Sequence, residues 1–420
     1  MAIETLALIP GLPNDISAII LSYIPISFHG RLKPTCRSWR SFFSNYSCKA
    51  LIFSLRQAHL PPLKLSHLLC IFPEDPSLSS PYLFDPTHLA WCPLPPMPIN
   101  PHGYALCNFA SVSIGPYLYV IGGSLFDTRS YPMDRPSPTG SSFRFDIAAG
   151  RWESLSPMLT PRGSFACAVV ENGGQILVAG GGSRHAMFGA AGSRVGFVER
   201  YDVERDEWSP LPGLPGFRAG CVGLCVKGRE FWVMGGYGES RTISGVFPVD
   251  EYYRDAVVLE LDGEDDDQIQ GGWREIGDMW QNEERTQLGK IVVVDDDDDD
   301  DDDDDKDDEK VPQIFMLDGN EILRYNMSLN RWFKESTVPR QAQDGSAFGF
   351  AALQGELYIM SHLQGFELSE IRRSRQRKKG SVLFMQIYNR RSKSWRYLGT
   401  RTPFNGPLDL RTTVMCTIRV

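Results

Sequence analysis

The chain has 420 residues, 42% hydrophobic and 23% charged, with 39 Gly and 29 Pro spread along its length. That is too long for one ordinary core and suits a small module plus one large domain of short strands and turns. No run of about 18 apolar residues occurs, which excludes a membrane-spanning helix. The net charge of −9 belongs to one segment: residues 295–309 hold thirteen Asp, one Glu and one Lys, and the rest of the chain is about +4. Nine cysteines are scattered without a CxxC pair or zinc spacing, most of them inside apolar runs as at Cys167. A reducing intracellular compartment, cytoplasm or nucleus, is the expectation. Met1 to Pro13 has no basic start and is interrupted by Pro10 and Pro13, so no secretory leader is expected.

Leu12-Pro13-Asn14-Asp15 opens the first predicted helix, with Asp15 in the turn where a negative charge favours the helix dipole. Apolar residues recur at Ile16, Ile19, Ile20, Tyr23 and Ile24, a helical stripe that stops at Pro25. A second short helix is predicted over 28–33 and a third over 36–43, basic on one side and aromatic on the other. Three helices this short bury too little apolar surface to be stable alone. They serve either as a cap on the downstream domain or as a docking module whose stripe another protein covers.

Leu12-Pro13-x-Asp15, Ile20-Leu21, Ile24-Pro25, Arg31 and Cys36-Arg37-x-Trp39-Arg40 together resemble the F-box, in order and spacing. Pro34 departs from that pattern and falls near the junction of the second and third helices, where it would sharpen the turn. The resemblance implies a three-helix F-box module over 7–50, followed by a linker over 51–65. It also implies docking to a Skp-type adaptor and, through it, to a cullin-RING ligase. The contact or supporting residues it implies are Leu12, Pro13, Ile16, Ile20, Leu21, Ile24, Pro25, Leu32, Cys36 and Trp39.

Beyond this module the chain repeats itself. Trp91, Trp152, Trp208, Trp273, Trp332 and Trp395 are separated by 61, 56, 65, 59 and 63 residues, each followed by a similar short segment. Before them come apolar strands ending in Gly122-Gly123, Gly180-Gly181 and Gly235-Gly236, then strands ending in an aromatic plus Asp or Asn, as at Tyr201-Asp202. Such units form four-stranded antiparallel sheets, with paired glycines where backbones approach closely. The pattern resembles the kelch repeat, which implies a mainly β, six-bladed propeller over 66–420. Leu317-Asp318-Gly319 and Met360-Ser361-His362 replace the glycine pair in later repeats, so irregular blades are expected there. The first unit lacks an innermost strand, and 411–420 is expected to supply it and close the ring.

Eleven consecutive Asp, 295–305, sit between two predicted strands and cannot pack, so a disordered acidic loop over 295–310 is expected. They lack the spaced ligands and turn glycine of a calcium loop. Residues 372–379 carry six basic side chains in eight and read either as a solvated hairpin loop or as a nuclear-localisation or nucleic-acid patch. His102, Arg162, Arg218, Arg285, Asp344 and Arg411 each precede an innermost strand. They either line one channel mouth, with four arginines attracting a partner's carboxylate or phosphate, or pair within the fold.

The reading that follows is a non-catalytic substrate receptor with no cofactor or metal. Its F-box holds the ligase and its propeller holds an unidentified protein target; neither membrane nor nucleic acid is expected as a partner. A kelch scaffold is the alternative. A propeller enzyme is disfavoured by the absence of HExxH, GxSxG, P-loop and GxGxxG signatures.

Overall fold

A computed structural model describes residues 7–59, 66–73, 80–99, 104–127, 137–170, 174–182, 194–243, 247–261, 272–280, 288–294, 312–341, 347–363, 382–404 and 408–420. The acidic run and the basic 372–379 segment lie outside these residues. No helix among the described residues is long and apolar enough to cross a membrane.

Four helices open the chain: α1 (Asn14–Ser22), α2 (Ile26–Leu32), α3 (Arg37–Ser44) and α4 (Tyr46–His59). The fourth corrects the expected three-helix module and the expected linker from 51, because regular helix runs on to His59. Its apolar positions Cys48, Ile52 and Leu55 fall on one helical face, and no Gly or Pro interrupts it. Pro34 stands in the turn between α2 and α3, where Thr35 N–H closes back on Leu32 C=O at 3.1 Å. The helices share a small core of Ala18, Leu21, Phe42, Phe43 and Ile52.

Among the described residues the remaining chain forms six four-stranded antiparallel sheets, together with a two-stranded sheet of Tyr237–Ile243 and Phe247–Tyr252 and a three-stranded sheet of Tyr104–Cys107, Ser124–Asp127 and Ser137–Pro138. Blade two comprises Ala110–Ile114, Tyr117–Ile121, Ser142–Asp146 and Arg151–Leu155; blade three comprises Ala166–Val170, Gln175–Ala179, Val198–Asp202 and Glu207–Leu211. Blade four takes Val222–Val226, Glu230–Met234, Asp255–Glu260 and Arg274–Asp278. Blade five takes Lys290–Val294, Gln313–Asp318, Glu321–Asn326 and Arg331–Thr337, and blade six Gly349–Leu353, Glu356–Leu363, Val382–Asn389 and Ser394–Arg401. The last two are complete sheets although they lack glycine pairs. Blade one joins His67–Phe72, Tyr82–Asp85 and Ala90–Pro93 to the late strand Val414–Arg419, so that Leu69 stands between Phe84 and Thr417.

Six hydrophobic clusters join the blades in cyclic order. Leu68 and Leu118 belong to the cluster between blades one and two, and Leu69 and Met385 to the one between six and one. The clusters in between hold Tyr119 with Ile176, Ala166 with Phe231, Trp232 with Ile314, and Phe315 with Tyr388. The result is a six-bladed propeller.

The tryptophan period has a specific cause. Trp152, Trp208 and Trp273 donate their indole N–H to the carbonyls of Pro95, Ser156 and Pro212, each just past the outer strand of the preceding blade. Trp395 reaches the Ser336 hydroxyl of blade five, and Trp91 reaches Thr400 of blade six, across the closure. Trp332 is the exception: Asn330 Nδ2 takes the carbonyls of Ile276, Gly277 and Asp278 instead, leaving the buried Trp332 indole N–H without a partner. In five blades the tryptophan also lies directly across from an aromatic of the third strand, as Trp208 does from Tyr201 at 5.0 Å between ring centres.

Candidate functional site

Helix α1 has two unlike sides. Ser17, Ala18, Leu21 and Ser22 are buried against the rest of the module, with the two serines bonding back to the carbonyls of Pro13 and Ile19. On the other side Leu12, Ile16, Ile20 and Tyr23 are 40% to 49% exposed. Residues four apart on a helix are neighbours, so this is one apolar row. Pro13, also exposed, stands at the N-cap position with φ −57° and ψ 146°. Among the other expected contact residues, Leu21, Ile24, Leu32 and Trp39 pack in the module's own core. Trp39 fixes the incoming chain by donating its indole N–H to Leu8 C=O at 2.7 Å, and its ring meets Phe43 edge-on. Cys36 is exposed at the N-cap of α3, its sulfur accepting from Trp39 N–H at 3.4 Å, and Pro25 occupies the same position before α2.

The module is fixed to blades one and two. Ser27, fully buried, donates its hydroxyl to Asp85 Oδ2 at 2.7 Å, and Asp85 also holds the backbone N–H groups of Thr87 and His88 and the His88 ring. Phe28 packs edge-on against His88, and Lys49 reaches Ala149 C=O at 3.4 Å. Asp85–Ala90 and Asp146–Arg151 are the turns between the third and fourth strands of their blades. In an antiparallel blade those turns share one face with the connections between the first and second strands. The opposite face carries the connections from second to third strand and from blade to blade. Leu159, Phe197 and Phe217, all strongly exposed, belong to that opposite face.

Two of the six residues expected at a channel mouth, Arg162 and Arg218, instead follow the other reading and pair within the fold. Arg162 is 0% exposed: its guanidinium pairs with Glu199 and donates to the carbonyls of Gly180 at 3.0 Å and Phe197 at 2.6 Å. Arg218, 4% exposed, makes a two-pronged pair with Asp255 at 2.7 and 2.8 Å under the face of Tyr253. Neutralised and enclosed, neither presents a field to a partner. Both are joints between blades. Gly123 N–H binds Arg162 C=O at 2.8 Å, and Gly181 N–H binds Arg218 C=O at 2.7 Å. That close approach explains the glycine pair: a Cβ on Gly180, at φ +67°, would lie 2.3 Å from Arg218 C=O. In blade six Gln386 replaces the charged version, accepting from Arg340 N–H and donating to Arg340 C=O. Arg411 sits in an exposed turn with Asp409, three residues before its strand. His102, Arg285 and Asp344 lie outside the described residues.

With both faces in view, comparison with known proteins is decisive. Residues 9–51 match the model of the F-box domain, and 105–159 and 164–215 match the kelch motif. F-box/kelch-repeat protein OR23 of Arabidopsis thaliana is 53% identical over 99% of this chain and 92% of its own length. This chain belongs to the F-box/kelch-repeat proteins. Two further Arabidopsis thaliana relatives are F-box/kelch-repeat protein At1g16250, 26% identical over 84% of the chain and 82% of its own length, and F-box/kelch-repeat protein SKIP30, 28% identical over 54% and 60%. In this F-box/kelch-repeat protein the F-box match ends inside α4, and the kelch matches fall on blades two and three, two of the three blades with glycine pairs. Reasoning from sequence missed α4, Ser27 and Arg56, the side chains that fasten one part to the other.

Proposed function

We propose that this chain is a non-catalytic substrate receptor of a cullin-RING ubiquitin ligase, docked through a Skp-type adaptor. The observation that carries this reading is the open row Leu12, Ile16, Ile20 and Tyr23 on a module whose other side is fixed to the propeller. An apolar row of this kind, on a helix with a finished core behind it, favours burial against a partner. The propeller face opposite the module, with Leu159, Phe197 and Phe217 exposed, then serves to select the protein target.

Co-purification with a Skp-type adaptor tests the reading. Fully burying two large aliphatic side chains is worth roughly 3–6 kcal/mol, so Ile16→Asp with Ile20→Asp should weaken adaptor binding by about 10² to 10⁴-fold while the propeller still folds. Equal adaptor binding by that double variant would overturn it and favour a plain kelch scaffold. Phe197→Ser with Phe217→Ser should leave adaptor binding unchanged and remove ubiquitination of whichever target the wild type delivers.

A further inference from the structure

Between the helices, the third and outer strands of blade one, and the third strand of blade two with the turn that follows it lies a cleft of about 300 Å³. This is the size of a small ligand pocket. Phe43, Leu94 and Phe145 contribute a buried apolar wall. The basic groups lining it are His29, Lys33, Lys49 and Arg56; among the described residues no carboxylate lines it, although Asp146 acts on Lys49 from beyond the lining.

Arg56 departs from how this molecule treats its other buried arginines. It is 3% exposed, as enclosed as Arg218, yet it donates only to Ile24 C=O at 3.0 Å and to the Ser66 hydroxyl at 3.5 Å. Among the described residues no carboxylate pairs with it, whereas Arg162 has Glu199 and Arg218 has Asp255. Its buried Nε has no partner, a feature shared with Arg218. Lys49 is close enough that a Cβ on Gly150 would lie 2.3 Å from its Nζ. Its amine is pushed down by burial and then by the neighbouring charge of Lys33. Burial, with the charges of Arg56, Lys33 and Lys49, lowers His29 to about 4, so its ring is neutral at pH 7 and donates Nε2–H to Ile24 C=O. Enclosed like charge of this kind is costly without an anion to pair with.

We propose that this cleft binds a small amphipathic organic anion, its carboxylate meeting Arg56 and Lys49 and its apolar body lying against Phe43, Leu94 and Phe145. The bound anion touches helices on one side and blades on the other. It therefore fixes the angle at which the helical module is held over the propeller, a role independent of which protein either part binds.

Calorimetric titration of the full chain with benzoate, 2-naphthoate and hexanoate provides the test, with neutral 2-naphthylmethanol and inorganic phosphate as controls. At least one of the three carboxylates should bind saturably, and at least tenfold more tightly than either control. Lys49→Met, at a half-buried site, should weaken it by tenfold or more while its far-UV signal shows that the chain still folds. Arg56→Gln should do the same if its far-UV signal shows that it folds. The proposal is overturned by silence across all three carboxylates or by equal binding of the neutral alcohol. It is equally overturned if inorganic phosphate binds as tightly, which marks a bare ion site, or if a folded Lys49→Met binds like the wild type. None of these outcomes depends on adaptor binding, so this proposal and the receptor reading fail separately.

Discussion

Arg162 and Arg56 are both buried at a joint, but the joints differ. Arg162 is held by Glu199 and three carbonyls where blade three meets its neighbour, with every charge matched. Arg56, between the helices and blade one, meets only a carbonyl and a hydroxyl, beside two lysines and a cleft. Replacing a buried pair by apolar groups is often neutral, but removing one partner strands the other. A propeller joint is thus closed once, at folding, while the joint under the module keeps an unmet positive charge that a ligand can answer. One part of the molecule is built to stay, the other to respond.

The largest test of that contrast is Arg162→Met. Leaving Glu199 buried and unpaired should cost about 3–5 kcal/mol in denaturant unfolding, and Glu199→Leu added to it should recover most of the loss. An unchanged midpoint in the single variant would show that backbone contacts, not charge pairing, hold the propeller joint. Next is Gly180→Ala, which forces a Cβ onto Arg218 C=O at positive φ and should cost roughly 2–3 kcal/mol. If it costs no more than Ala at the open Gly174, close approach is not what the glycine pair provides.

At the responsive joint the expected effect depends on pH. The folded state keeps His29 neutral to about 4, whereas the unfolded chain protonates it near 6.5. Between those values the unfolded state binds more protons, so stability is fully present above pH 6.5 and falls as pH drops toward 4. The loss should be about 3 kcal/mol by pH 4, read as the difference between wild type and His29→Gln across that window. Parallel pH profiles for the two proteins would remove His29 from the account. Smallest is Gln386→Leu in blade six, where two hydrogen bonds to Arg340 disappear, at about 1–2 kcal/mol. A loss as large as that of Arg162→Met would erase the distinction between charged and neutral joints.

What the sequence made legible follows the same division. The α1 stripe was readable because an apolar row at helical spacing is a local pattern. The six tryptophans were readable because each does one repeated job, fastening its blade to the one before, with only Trp332 excused by Asn330. The channel-mouth arginines misled for a physical reason. Their position and charge are visible in the chain, but the carboxylates that cancel them stand 37 residues away, on the third strand of their own blades. The end of the helical module was misplaced because Asn45 alone separates α3 from α4, although Pro61 and Pro62, just past His59, carry the signal for where a helix must stop. Arg56 carries no motif at all; only burial and the company it keeps reveal it.

The pairing of His67–Phe72 with Val414–Arg419 also sets an order in time. Arg419 and His67, which touch in the finished blade, are 352 residues apart. At about 5–20 residues per second, a ribosome needs roughly 20–70 s to supply the second after the first. Through that interval the blade beneath the helical module has an open edge beside Leu69 and Ile71, and the platform for the module is unfinished. A nascent chain therefore has its helical module early and a firm base for it last, so that an interrupted product would display the F-box on a propeller left open at blade one.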